Sequence, residues 1–210
     1  HILFTPGIYA LDESLRVSQP NTVILGIGLP TLVPQNGNTA LITDDVPGIK
    51  LAGLMVDAGP EISPTLIQIG SGETNADFSD NPTSLHDIYC RVGGATAGLA
   101  EATLTINSDH VIGDHFWLWR ADHGVGTGWL DGQNKHGLVV NGDHVTIYGL
   151  FNEHFLSYQT LWNGEHGRTY FYQSEIPYHP PSLEEWNDNG KAGYVSYKVA
   201  DSVKNHEAYG

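Results

Sequence analysis

Cysteine is almost absent from this chain: Cys90 stands alone among 210 residues, which excludes an intramolecular disulfide and any metal site built on several cysteines. Basic residues are scarce as well. Nine Lys and Arg face 24 Asp and Glu, for a formal charge of −15, so nucleic acid and anionic membrane surfaces are excluded as partners and neutral ligands are favoured. There is no run of about 18 apolar residues, hence no candidate membrane-spanning helix. The start His1-Ile2-Leu3-Phe4 has neither the basic region nor the small-residue cleavage site of a signal peptide. Helix-forming windows are also missing, because 25 Gly and 11 Pro interrupt nearly every stretch long enough for three amphipathic turns. One exception is Ser182-Leu183-Glu184-Glu185-Trp186, where an N-cap serine and two carboxylates in the first turn predict a short helix.

What the chain does contain is short β-branched segments set between Asn, Asp and Gly turns, such as Thr22–Leu25, Ile49–Ala52, His110–Ile112 and His144–Tyr148. Five strand-like stretches starting at Leu54, Ile88, Phe116, Leu150 and Tyr170 superimpose, with starts 34, 28, 34 and 20 residues apart. Degenerate strands recurring at such intervals are the signature of stacked coils. The turn phrase Asn107-Ser108-Asp109-His110-Val111 returns as Asn141-Gly142-Asp143-His144-Val145, a repetition in register that a β-sandwich does not require. Laid over one another, Leu54, Ile88, Phe116, Leu150 and Tyr170 form one inward column, and Val56, Cys90, Leu118, Asn152 and Tyr172 form a second. The outer face carries Met55, Tyr89, Trp117, Phe151 and Phe171 in one column and Asp57, Arg91, Trp119, Glu153 and Gln173 in another. The reading is an all-β chain, a right-handed parallel β-helix in a single domain spanning 1–210, and a fragment of a longer β-helix. Repeating coils occupy about 1–178. An aromatic, Pro-rich surface excursion over about 176–193 interrupts them, and a strand then returns.

The opening Phe4-Thr5-Pro6-Gly7-Ile8-Tyr9-Ala10-Leu11, followed by Leu15-Arg16-Val17 and Asn21-Thr22-Val23-Ile24-Leu25-Gly26-Ile27-Gly28, resembles the first coil of pectate-lyase-like right-handed β-helix proteins. A "P-G-x-Y" turn leads there into a strand, and a "V-x-G-x-G" segment starts the next side of the coil. Within that group the chain looks most like glycoside hydrolases such as the family 55 exo-β-1,3-glucanases, alongside α-1,3-glucanases and polygalacturonases. The resemblance covers residues 1 to about 60, and the repeats extend it to about 178. It implies the fold and a carbohydrate-active protein, and it brings no catalytic residue with it. The coils hold no Asn-x-Asp or Asp-Asp pair of the polygalacturonase kind, since Asp44-Asp45 lies in an early turn.

Candidate chemistry concentrates in one region. Eight of the eleven histidines fall between residues 110 and 179, and four of the five tryptophans between 117 and 162. Trp117 and Trp119 are two apart and project from one face of a strand, a spacing suited to stacking on sugar rings and equally to packing. A Gly-rich insertion follows, carrying His123 and Trp129, of the kind that builds a binding wall on a rigid scaffold. With no helix after it, its glycines are not a dinucleotide fingerprint, and no cofactor is expected. The register places Glu153 beside Trp119, Arg120 beside His154 and Glu175 beside Phe155, so that Asp122, Glu153 and Glu175 line one stretch of groove. Glycoside hydrolysis needs a pair of carboxyl groups, one of them protonated. These three residues are the catalytic candidates, with Trp117, Trp119, Arg120, His123, Trp129 and His154 as substrate-binding residues and Asp114 and Glu165 in reserve. His110 and His144, at the same place in the repeated phrase, read as turn residues. No close HxH or HExxH spacing marks a metal site, although carboxylates on adjacent turns leave calcium open.

Three functions compete at this point. A glycoside hydrolase on a neutral glucan would use the carboxylates as acid and base and the aromatics as a wall, with a polysaccharide or oligosaccharide as partner. A polysaccharide lyase would need basic residues against a uronate, and only Arg91, Arg120, Arg168 and Lys135 lie near. A non-catalytic module would bind carbohydrate or stack end to end through its exposed coil edges, or continue into further coils. An extracellular location is expected in each case.

Overall fold

The Gly- and Pro-punctuated strands wind into stacked coils. The computed structural model describes residues 1–74 and 76–210, and among these the strands form a 10-stranded sheet, a 7-stranded sheet and a 2-stranded ribbon. Successive strands alternate between the two large sheets: Lys50–Asp57, Ile67–Ile69, Ser84–Val92, Ala102–Ile106, Ile112–Arg120, His136–Val140, Thr146–Glu153, Thr160–Trp162 and Gly167–Glu175. Every pairing within these sheets is parallel. The chain is therefore a parallel β-helix, with Leu51, Leu54, Ile88, Leu104, Phe116, Leu118, Leu138 and Leu150 buried between the sheets.

The long strands of the larger sheet each contain one left-handed residue at the same level of the stack: Gly53, Asp87, His115, Gly149 and Phe171, at φ 68°, 51°, 57°, 69° and 64°. In the first coils the same place is a full break, separating Ile2–Phe4 from Ile8–Leu11 and Val23–Gly26 from Thr31–Pro34. Each left-handed residue takes up one extra step, so buried positions skip from 85 to 88, 113 to 116 and 147 to 150 before returning to the period of two. Gly53 suits this conformation, and a Cβ there would stand 2.6 Å from the Gly26 carbonyl oxygen. Phe171 is a bulky residue in the left-handed region, with its ring 65% exposed.

The expected register holds through four long strands and shifts in the fifth. Leu150 pairs with Tyr172, and Asn152 with Ser174, two residues beyond the alignment on Tyr170 and Tyr172; Tyr170, expected in the inward column, instead pairs with Tyr148 and stacks on it along the outer face at 5.2 Å. Phe151 accordingly faces Gln173, and Glu153 faces Glu175, which the sequence alignment had set beside Phe155. The cause is a third copy of the turn phrase, Asn163-Gly164-Glu165-His166, 22 residues after the second. The Asn163 amide donates to Asn141 and the Asn141 amide to Asn107, both at 2.8 Å. His110, His144 and His166 stack with ring centroids 4.8 and 4.6 Å apart, all at positive φ. This ladder, not the strand pattern, fixes how the last coils sit.

The helix expected at Ser182–Trp186 does not form. The Ser182 hydroxyl accepts from the Glu185 amide, and its carbonyl from the Trp186 amide at 3.0 Å, giving one capped turn. The turn ends there because the chain enters the Asn187–Asp188 and Lys191–Ala192 ribbon, in which Gly190 and Asn189 have positive φ. After this excursion Tyr197–Val199 rejoins the smaller sheet and His206–Tyr209 the larger.

Candidate functional site

Three neighbouring long strands end on one edge, and each releases a different element there. Ile112–Arg120 runs into the Gly-rich loop, Thr146–Glu153 into a tight turn and Gly167–Glu175 into the excursion. The tight turn is held from inside. Asn152 points into the core, where its Nδ2 donates to the Gln159 carbonyl at 2.9 Å and to Thr160 Oγ1 at 2.7 Å. The Gln159 side chain in turn accepts from the Phe155 amide and donates to the Phe155 carbonyl. His154, at φ 68°, reverses the chain so that Phe155 enters the core and the Glu153 side chain stays on the outer face.

Glu153 and Glu175 are therefore register partners on adjacent coils, whose backbones lie about 4.8 Å apart. The Trp117 indole donates through Nε1 to Glu153 Oε2 at 2.9 Å. The Tyr178 hydroxyl donates to Glu175 Oε2, and the Gln173 amide reaches Glu175 Oε1 at 3.4 Å. Next to Glu175 sits the His154 imidazole, with a side chain only 4% exposed. Its Nδ1 lies 3.0 Å from the Ile176 carbonyl, which can only accept, so Nδ1 carries the proton and donates it. Nε2 then faces Asp122 Oδ1 at 3.7 Å and Glu175 Oε2 at 3.9 Å.

Asp122 and Glu175 meet on one histidine, and Glu153 stands one rung away from Glu175. Partial burial raises the Asp122 pKa, but the hydrogen bond with His123 and the nearby His154 outweigh it and hold this carboxyl below its usual range. Asp122 is thus the group kept ionised. The Tyr178 phenol is pushed up to about 12, first by its bond to Glu175 and then by burial and by the charges of Glu175, Asp122 and Glu153. It stays a donor at neutral pH.

The residues named from the sequence are brought together with different roles. Asp122, Glu153, Glu175, Trp117, His123, Trp129 and His154 meet around this edge. Trp119 stacks on Trp117 at 5.3 Å but is 9% exposed, packed beneath Gly94, so it supports the wall and offers little surface. Arg120 is buried, its guanidinium turned to main-chain carbonyls and not to the groove. Of the reserve residues, Asp114 lies beyond the bend, 3.5 Å from His86, and Glu165 belongs to the turn ladder, accepting from the Lys204 and Asn205 amides. Tyr178 and Gln173 are the additions. Tyr178 stands three residues after Glu175 at the start of the excursion, a spacing that places a side chain back over the strand end.

Two spaces lie on this side of the coil. One, between Arg120, Asp122, Trp129, His154 and Tyr178, has about 40 Å³, room for little more than one water. The other is an open groove of about 530 Å³ along the aromatic face, lined by Tyr89, His115, Trp117, Tyr148, Phe151 and Phe171, a size suited to a small organic ligand. Trp117 lines the groove and donates to Glu153, so one side chain links the groove to the carboxyl pair.

Comparison with known proteins agrees with this architecture. The model of the LAM55 pectate lyase-like domain matches residues 1–175. The chain is 48% identical over 210 residues to an exo-β-1,3-glucanase of Streptomyces sp. (strain SirexAA-E / ActE), a match covering 100% of this chain and 35% of that protein. It superimposes on the structure of sacteLam55A from Streptomyces sp. SirexAA-E with a TM-score of 0.98 at 48% identity, covering 100% of this chain and 38% of the other. It also superimposes on a variant of sacteLam55A in complex with glucose, with a TM-score of 0.97 at 48% identity, covering 99% and 38%. The chain thus spans little more than a third of the length of the relatives it matches. On the family match and the coil architecture together, the chain belongs to the LAM55 pectate lyase-like domain family.

Proposed function

We propose that this chain carries the bond-cleaving edge of a glycoside hydrolase acting on a neutral β-1,3-glucan outside the cell. The observation that carries the reading is the pairing of Glu153 with Glu175 on adjacent coils, beside an aromatic groove and against an ionised Asp122. Its support from outside the chain is the relative named as an exo-β-1,3-glucanase and the related structure in complex with glucose.

Glycoside hydrolysis takes two carboxyl groups flanking the scissile bond, one protonated and one ionised, and adjacent rungs of the parallel sheet set Glu153 and Glu175 side by side. The protonated member gives its proton to the departing glycosidic oxygen. Its ionised partner acts at the anomeric carbon, directly or through water. Asp122 and the Nε2 edge of His154 form the polar floor beside the pair, and Tyr178 and Gln173 orient Glu175 through its two oxygens. The net charge of −15 suits an uncharged polymer and disfavours a uronate, which sets aside the lyase alternative.

Glucose release from linear β-1,3-glucan, measured beside α-1,3-glucan, tests the reading. Glu153→Gln and Glu175→Gln are each expected to lower kcat by about 10²–10⁴-fold, the usual worth of a positioned acid or base. Tight binding of β-1,3-glucan with no cleavage would replace the hydrolase by a carbohydrate-binding module.

A further inference from the structure

Arg120 closes the Ile112–Arg120 strand directly under the Gly-rich loop and is 5% exposed. A buried guanidinium needs its donors filled, and here main-chain carbonyls fill them. Nε donates to the Gly132 carbonyl at 2.8 Å, one terminal nitrogen to His154 at 3.3 Å, and the other to Asp131 at 3.1 Å and to Gly128. Burial pushes this group down to about 10, against the opposing charge of Asp131, so it remains a cation at neutral pH.

The loop it touches has two differently held halves. The first is tied to the neighbouring coil: the Val125 and Gly94 amides and carbonyls exchange two 2.9 Å hydrogen bonds. Gly124 and Gly126 also approach the 94–97 segment so closely that a Cβ on either would come within 2.5 Å of it. The second half, Thr127 to Gly132, carries Trp129. Its main-chain carbonyls at Gly128, Asp131 and Gly132 converge on Arg120, and the Trp129 carbonyl accepts from Gln133. The fourth Arg120 bond goes to the carbonyl of His154, the residue next to Glu153. One side chain thus joins the Trp129 wall to the strand end that bears Glu153.

We infer that Arg120 is a positioning residue that holds Trp129 against the sugar site, and so sets affinity for the glucan and leaves the bond-breaking step to the carboxylates. The inference deepens the hydrolase reading and rests on it for its kinetic consequence. Lysine cannot substitute, because a single ammonium presents its donors from one point and cannot span four carbonyls fixed to a planar fork.

The experiment uses the variants Arg120→Lys, Trp129→Ala and their combination. Arg120→Lys is expected to raise KM for β-1,3-gluco-oligosaccharides about tenfold with kcat within about threefold, the pattern of lost uniform binding. Amide hydrogen exchange over 127–132 should accelerate, while Gly94 and Val125 stay protected. In the Trp129→Ala background Arg120→Lys should have no further effect on KM, since both changes remove the same wall. Additive effects, unchanged exchange, or a fall in kcat at constant KM overturns the inference. Gly128→Ala serves as a second variant if Arg120→Lys does not fold: it disturbs the loop at φ 141° with Arg120 intact and should raise KM likewise, and an unchanged KM counts against the inference. If the unsubstituted protein cleaves no glucan, the hydrolase reading falls. Arg120 is then judged by exchange and by calorimetric Kd for the same oligosaccharides, where equal Kd values for the protein and Arg120→Lys overturn it.

Discussion

Asn152 ends the apolar run of Val56, Cys90 and Leu118 in an inner column, next to Glu153 in the chain, and its replacement is a stringent test of how this edge is held. Removing its amide deletes two hydrogen bonds, to the Gln159 carbonyl and Thr160 Oγ1, worth about 1 kcal/mol each. Neither partner is then orphaned. The Gln159 carbonyl still accepts from the Gly137 and Leu138 amides, and Thr160 still bonds to the Tyr172 hydroxyl. Asn152 Oδ1 is itself buried without a partner among the described residues, so leucine also relieves a desolvated polar atom, an offset of about 1–3 kcal/mol. Against this, the space is tight, since even a Cβ on Gly137 would stand 2.6 Å from Oδ1, and overpacking costs about 1–3 kcal/mol. Taken at their midpoints these terms sum for Asn152→Leu to a loss of about 2 kcal/mol, or roughly 4–8 °C in Tm for a domain of this size. Asn152→Asp instead puts an acid into the core beside accepting oxygens and should cost about 3–5 kcal/mol, as an unpaired buried charge does. Thermal unfolding of the two variants side by side decides the matter. If leucine proves as damaging as aspartate, the idea that its partners are independently satisfied is wrong.

Two further outcomes can be measured. Trp117→Phe keeps the ring and deletes the donor to Glu153 Oε2; a hydrogen bond to a charged group is worth about 1.5 kcal/mol or more, so kcat should fall about tenfold, and an unaltered kcat would show that Glu153 needs no such support. Asp45 binds Ser71 and Ser108 across successive coils. Burial alone raises its pKa, but these hydrogen bonds win and hold it below the usual range. Its folded pKa lies below its unfolded one, so its stabilisation is complete above the ordinary carboxylate value of about 3.9 and disappears as pH falls through the lower folded value. Asp45→Asn should accordingly lower Tm at pH 7 and converge with the unsubstituted protein in strong acid, whereas a constant Tm difference at all pH values refutes the assignment.

Most of the coil architecture is written in local chemistry. Leu54, Ile88, Phe116 and Leu150 line up because each inward strand position is apolar and each coil begins at a recognisable turn. The left-handed bends at Asp87, His115 and Phe171 were not legible, since none of these residues is the glycine that such a conformation favours. They are held by the parallel pairing on both sides, which imposes the bend set at Gly53 and Gly149. The last register slipped in the sequence alignment because Tyr170 and Tyr172 are equally good apolar partners for Leu150. The observed alignment turns Tyr170 to the outer face opposite Tyr148, before the left-handed Phe171, and a period-two strand pattern that does not register this bend cannot distinguish the alternatives. The Asn163-Gly164-Glu165-His166 phrase does distinguish them, through amide and imidazole ladders that tolerate only one alignment.

That slip matters to the chemistry more than to the fold. In the shifted alignment Glu175 lies beside Phe155 and the three carboxyl groups are merely on one wall; in the observed one Glu175 is the direct partner of Glu153 on the next rung. Arg120 shows the complementary lesson. A cation next to a row of carboxylates reads from sequence as an ion-pair or substrate-binding group, because in solution that is where its favourable energy lies. Once buried beneath a glycine-rich loop, the same guanidinium meets a shell of carbonyls that no side chain displaces. Glycines lack the bulk to fill the space above the strand and expose their carbonyls to whatever lies below. A long planar cation satisfies several of them at once, where a carboxylate would satisfy none. The loop's composition therefore selects the residue beneath it: a Gly-rich wall that must stay rigid needs a buried donor array, and Arg120 supplies it.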